Sequence, residues 1–324
     1  MKRVRPASHF LPRIVATVVA MLVVVSSSSV RAQTLTKIRV ATLPIDVASQ
    51  ALYAADQGFF RAAGLDVDLQ LMNSGPAIAA AIAGGDVDFG ASNMVTLSIA
   101  HERGVPFVLV APGGAYSSKN PTDKLVVANG SPIKTARDLN GKALAVNALK
   151  NISAISAMSW IDRNGGDSKT VKFVELPFSE MGAAIASGRI DAACMDEPFL
   201  GQAIAVDHLS AIALPYEAVG KEFLQGAWFT STEYAKAHPD VVRKFADAMA
   251  KAADWANANP SSSGKILEKY TKTALVAGTA RTYFPPRFVR LDVQPLVDAA
   301  AKYGVLKETI PVGDMFAPGI TFSN

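Results

Sequence analysis

Apolar and polar positions in this chain follow a repeating order: a short apolar run, an Ala-rich stretch with helical spacing, then another short apolar run. Short apolar or alternating runs fit strands, and apolar residues three and four apart fit helices. Segment 37–43 (Lys-Ile-Arg-Val-Ala-Thr-Leu) predicts a strand that Pro44 interrupts. Asp46 can cap a following helix whose apolar face is Ala48, Leu52, Ala55 and Phe59. Segment 65–71 alternates Leu and Val with Asp66, Asp68 and Gln70, the pattern of a half-exposed strand. Asn73-Ser74-Gly75-Pro76 opens a helix over 77–83, and 87–91 is a strand. Ser92 and Asn93 cap a helix running to Glu102, and a strand follows over 105–111.

The second half repeats this order. Strands are expected at 124–128, 143–146, 171–176 and 190–195. Asn151 or Ser153 caps one helix, Ser179 another, and Asp196 a third that contains 199–206. The wording repeats too: Ala81-Ile82-Ala83-Gly84-Gly85-Asp86-Val87-Asp88 returns as Ala184-Ile185-Ala186-Ser187-Gly188-Arg189-Ile190-Asp191. In each copy a Gly stops the helix in the left-handed conformation before a buried strand. Two related halves imply an α/β protein of two lobes, each a mostly parallel sheet flanked by helices, with a ligand cleft between them. The expected division is 33–123 for the first part of lobe one, 124–225 for lobe two, and 226–324 for a return to lobe one. The crossings at 122–124 and 225–229 would form the hinge. From Pro239 the pattern is helical, with an apolar face of Val242, Phe245, Met249, Ala252, Ala253 and Trp255 stopped at Asn259-Pro260. That tail has no counterpart in the repeat and is expected to pack on lobe one.

Charge changes the picture only at the N-terminus. Lys2, Arg3, Arg5, Arg13 and Arg31 are the charged residues of the first 32, so removing this stretch takes the net charge from +4 to −1. The basic flank, the uncharged run 14–25 and Val30-Arg31-Ala32 make a cleavable signal peptide with a cut after Ala32. Twelve apolar residues span only about 18 Å as a helix, short of the ~30 Å hydrocarbon core. The mature charge offers nothing for nucleic acid. Cys194 is the single cysteine and is expected to be a buried hydrophobe rather than a nucleophile.

Enzyme motifs are missing from the mature sequence. His101, His208 and His238 stand alone, and no zinc-spaced cluster, nucleophile elbow, phosphate loop or dinucleotide fingerprint occurs. What the sequence does contain is helix N-termini that follow strands, the places where open α/β sheets bind ligands. They supply the candidate ligand-binding residues Asp46, Ser74, Gly75, Ser92, Asn93, Asn151, Ser153, Asp196 and Glu197. Trp228 joins them, with Phe178 and Phe199, to cover an apolar part of the ligand. The same residue types are also ordinary caps. Free N–H groups at these termini favour an anion, with Lys150 the nearest basic candidate. Two carboxylates, Asp196 and Glu197, would repel a bare anion and suit an amine or amidine.

Several stretches resemble the solute-binding proteins of ABC importers for nitrate, aliphatic sulfonates, taurine and thiamine-pyrimidine precursors. They are Ala54-Ala55-Asp56-Gln57-Gly58-Phe59-Phe60 with Gly64-Leu65-Asp66-Val67, and Ala83-Gly84-Gly85-Asp86-Val87-Asp88-Phe89-Gly90. Further on, the run from Ile133 to Lys142, Gly188-Arg189-Ile190-Asp191-Ala192, Glu197-Pro198 and His238-Pro239-Asp240 also match. The resemblance implies the two-lobed periplasmic-binding-protein fold (type II), a periplasmic location and no catalysis or cofactor. It also implies a small polar organic solute, sulfonate- or taurine-like or aminopyrimidine-like, handed to an inner-membrane permease by a soluble, monomeric protein. The alternative is a non-transport enzyme of the same fold acting on a menaquinone or pyrimidine precursor. Pyrimidine-precursor synthases carry a cysteine-rich motif and a catalytic His that this chain lacks.

Overall fold

A computed structural model describes residues 1–3, 34–288 and 293–316. The run 14–25 and the cut after Ala32, expected to belong to a signal peptide, lie outside them.

Among the described residues twelve strands follow one another. The first four are β1 (Thr36–Thr42), β2 (Leu65–Leu71), β3 (Phe89–Asn93) and β4 (Phe107–Pro112). Next come β5 (Ala115–Ser117), β6 (Asp123–Ala128), β7 (Ala143–Val146) and β8 (Lys172–Glu175). The last are β9 (Ala192–Asp196), β10 (Leu209–Ala213), β11 (Glu222–Leu224) and β12 (Gly226–Ser231). Ten of them build two five-stranded sheets, ordered β2-β1-β3-β12-β4 and β8-β7-β9-β6-β10. In the first sheet only β12 runs against its neighbours; in the second only β6 does. Each lobe is therefore the same mostly parallel sheet with one reversed strand, inserted fourth, reached by a crossing from the other lobe.

The sequence repeat carries this symmetry at atomic detail. Gly85 (φ 76°) and Gly188 (φ 72°) end their helices in the left-handed region, where a side chain would be strained. Asp88 then accepts the N–H of Arg39 in β1 at 2.7 Å, and Asp191 accepts the N–H of Ala143 in β7 at 2.8 Å. One repeated carboxylate thus pins the neighbouring parallel strand in each lobe. Five residues past these aspartates, β3 ends at Asn93 and β9 at Asp196.

Between the sheets the chain crosses as a ribbon, β5 antiparallel to β11, with Tyr116, Tyr216 and Phe223 packed together. The lobes also meet directly: the Asp46 N–H donates to the Glu197 carbonyl at 2.8 Å. The Glu197–Pro198 peptide is cis.

Three local features differ from the sequence reading. The helix expected over 48–59 is a 3-10 turn, Asp46–Ala48, followed by helices Gln50–Asp56 and Phe59–Ala62. Gly58, at φ 73°, separates the two helices. Ser179 lies inside the helix Phe178–Ala186, whose cap position is Pro177, and Asp196 closes a strand rather than opening a helix. The tail departs as well. Phe245 of the helix Pro239–Ala258 stacks on Phe89 of β3, ring centroids 4.1 Å apart. Beyond the helix Gln294–Lys302, however, the Tyr303 hydroxyl donates to Asp162 of lobe two at 2.8 Å, so the tail touches both lobes.

Candidate functional site

A cavity of about 50 Å³ lies between the C-terminal ends of β1, β3 and β9 and the start of β12. At roughly 10–15 Å³ for each water it has room for about four water-sized groups, the scale of a small solute. Its apolar wall is Leu43, Ile45, Val47, Ala48, Ile152, Phe178 and Trp228. Polar groups come from both lobes: Ser92, Asn93 and Gln225 on one side, Asn147, Asn151, Ser153, Asp196 and Tyr216 on the other. Among the described residues no Lys, Arg or His lines it.

Two helix N-termini aim into this space. The Asn93 carboxamide accepts the Thr96 N–H at 3.0 Å and caps the helix Met94–Glu102. The Asn151 carboxamide accepts the Ala154 N–H at 3.1 Å and caps Ile152–Arg163. Asn151 is itself held by its Nδ2 donating to the Asn147 side-chain Oδ1 at 2.6 Å. Trp228 is oriented by donation from its indole N–H to the Gln50 side chain at 2.9 Å. Ser153 and Tyr216 hydroxyls lie 3.4 Å apart.

Of the ten residues put forward from sequence, six line the cavity: Ser92, Asn93, Asn151, Ser153, Asp196 and Trp228. Four do not. Asp46 is fully buried in another network: its carboxylate accepts Arg281 Nε at 3.0 Å, Arg281 Nη2 at 2.8 Å and the Thr282 N–H at 2.8 Å. Glu197 turns back on its own helix, accepting the Gly201 N–H at 3.0 Å. Ser74 makes no capping bond. Gly75 sits just behind the wall, where a Cβ would come within 2.3 Å of Ser92 Oγ. Lys150 is exposed, and Phe199 stacks behind Phe178 without lining the cavity.

Sequence reasoning missed Asn147, Tyr216 and Gln225. Tyr216 and Gln225 come from the stretch 214–225, which carries no regular periodicity. Cys194 faces the lobe-two core with Leu125, Leu144 and Ile161, away from the cavity.

The electrostatics are one-sided. Asp196 is pushed well above the usual carboxylate range by burial, and then by the charges of Asp123, Asp46 and Glu197. Asp123, its cross-strand partner in the β6–β9 pairing, is pushed up by burial as well. Burial also raises Glu197, to about 7. The Tyr216 hydroxyl is raised by burial, with Asp123 and Asp196 adding to the effect. A site of this kind can hold a small organic molecule by helix N-termini, amides and hydroxyls, and among the described residues it offers the Asp196 carboxyl and no Lys, Arg or His.

The profile of the NMT1/THI5-like family matches residues 48–263. The chain belongs to that family. It is 28% identical over 229 residues to the taurine-binding periplasmic protein of Escherichia coli K12, covering 69% of this chain and 68% of that one. Among solved structures it resembles the alkanesulfonate-binding protein SsuA of Xanthomonas axonopodis pv. citri. The TM-score is 0.71 at 16% identity, over 87% of this chain and 98% of that one. An enzyme shares the fold: the desulfurization enzyme DSZB, with a TM-score of 0.64 at 15% identity over 88% of this chain and 97% of that one. At such identities the structures establish the fold alone.

Proposed function

We propose that the mature chain is the solute-binding component of an ABC importer, a receptor rather than an enzyme. It captures a small polar organic solute between its lobes in the periplasm and presents it to an inner-membrane permease. The proposed signal peptide, cut after Ala32, takes it there.

One observation carries this reading. The capping residues of two helices in opposite lobes, Asn93 and Asn151, line the same cavity. A ligand seated there touches both lobes only when they are closed, and that difference in affinity shifts the population to the closed form. The likeness to a taurine-binding protein supports an amino-sulfonate-like solute, and the Phe178 and Trp228 walls would equally take an aminopyrimidine.

The test is thermal shift against a panel of sulfonates, amines and pyrimidines, followed by X-ray scattering with any hit. At a ligand concentration a hundredfold above Kd, stabilisation should be about 2.7 kcal/mol. The radius of gyration should fall on binding, and the ligand should be recovered chemically unchanged. Turnover of the bound compound would favour the enzyme reading instead.

A further inference from the structure

Asp123 and Asp196 face each other across the β6–β9 pairing, on adjacent antiparallel strands with matching register. Directly opposed residues project to the same face of a sheet with Cβ atoms about 5 Å apart, and like charges there are destabilising. Both residues are almost fully buried, 2% and 3% exposed. Neither Asp123 carboxylate oxygen has a hydrogen-bond partner among the described residues, and Asp196 Oδ1 has none either.

Among the described residues neither carboxyl forms an ion pair. The half-buried Arg281 is committed to Asp46 by two bonds. Lys124 follows Asp123 in β6 and its side chain projects to the opposite face, so its charge offsets only part of the rise that burial causes at Asp123.

The equivalent place in lobe one is chemically different. There β3 ends at Asn93 opposite Gly226, where lobe two has Asp196 opposite Asp123. The two ends of the cleft therefore present an amide and a hydroxyl on one side and the Asp196 carboxyl, backed by Asp123, on the other. A second observation points to a polar ligand in the same cavity. Ser92 Oγ and Gln225 Nε2 line it on residues 3% exposed, and neither has a partner.

Building on the importer reading, we propose that the solute carries a protonated nitrogen with N–H donors, an ammonium or amidinium, which docks on Asp196. Asp123 lies behind it as a second carboxyl that sets the charge of the pair. A buried carboxylate without a partner is costly, and an N–H cation satisfies it by charge-assisted hydrogen bonds. The solute's other end lies toward Ser92, Asn93 and the helix N-terminus in lobe one, which favours a negative or hydrogen-bonding group. A zwitterion fits both ends, whereas a bare anion fits only one.

Calorimetric titration of the mature protein with matched pairs tests this. The probes are 2-aminoethanesulfonate against 2-hydroxyethanesulfonate, 3-aminopropanesulfonate against 3-hydroxypropanesulfonate, and benzamidine against benzamide. The nitrogen cation of at least one pair should bind at least tenfold more tightly than its neutral-headed partner. Asp196→Asn should abolish that preference, bringing the two members of the pair within about threefold of each other, and Asp123→Asn should reduce it. A purely structural carboxyl pair sharing a proton would leave the ratio untouched in both variants, which overturns the proposal. So do equal affinities within every pair that binds, a result that leaves the importer reading standing. If no compound of either kind binds, both readings fall. The wild-type ratio decides by itself should a variant fail to fold.

Discussion

At the scale of single residues, the clearest lesson is Asp46. Its position after a strand and before a helix made it a cap and a ligand contact on paper. In the structure its carboxylate is buried against Arg281, 235 residues away, with Thr282 and Tyr53 completing its hydrogen bonds. Removing one partner of a buried pair strands the other charge, at a cost of about 3–5 kcal/mol. Arg281→Ala should therefore lower the urea unfolding free energy by about that amount, whereas Asp46→Asn with Arg281→Met should recover much of it. A loss below about 1 kcal/mol for the single variant would mean the pair is solvated rather than buried. Local pattern could not reveal this, because the partner lies in an irregular stretch with no periodicity to place it. The repeated aspartates were legible by contrast: the copies at Asp88 and Asp191 stood out in sequence, and both bind the adjacent strand's backbone.

At the scale of elements, strand and helix order was readable because period and punctuation agree, with Gly85 and Gly188 each ending a helix before a buried strand. Capping was readable in part. Asn93 and Asn151 cap as expected, while Ser74 does not, although all three follow the same residue preference. The difference is packing. Gly75 lets the first turn of the helix Gly75–Gly84 press against Ser92, leaving no Cβ between them. Gly75→Ala should force Ser92 or the helix to move, costing about 1–3 kcal/mol of stability for the overpacking. Because Ser92 lines the cavity, ligand affinity should fall too. Unchanged affinity with lowered stability would show that Ser92 is not part of the binding surface. Asn151→Ala tests the other lobe: loss of the cap costs about 0.5–2 kcal/mol, and affinity should drop with it.

At the scale of the whole molecule, the crowding of acids where the lobes meet gives the protein an unusual response to pH. Paired carboxylates in most proteins have lowered pKa values and gain stability as pH rises through the acid range. Here burial raises Glu197 from its ordinary 4.5 to about 7, and Asp123 and Asp196 shift in the same direction. Between those values the folded state holds a proton that the unfolded chain has released. More protons bound in the folded form means that stability falls as pH climbs. The Glu197 contribution is fully present below about pH 4.5, and its loss is complete above about 7. The melting temperature of the unliganded protein should therefore decline from pH 5 to pH 7.5 at constant ionic strength. Glu197→Gln, whose amide oxygen can still accept the Gly201 N–H, should flatten the decline. Placing a cationic solute beside Asp196 should flatten it further, since the carboxylate then has a partner at neutral pH. A melting temperature that rises across this window would show that these carboxyls titrate normally and that the closed cleft is wetter than its burial implies.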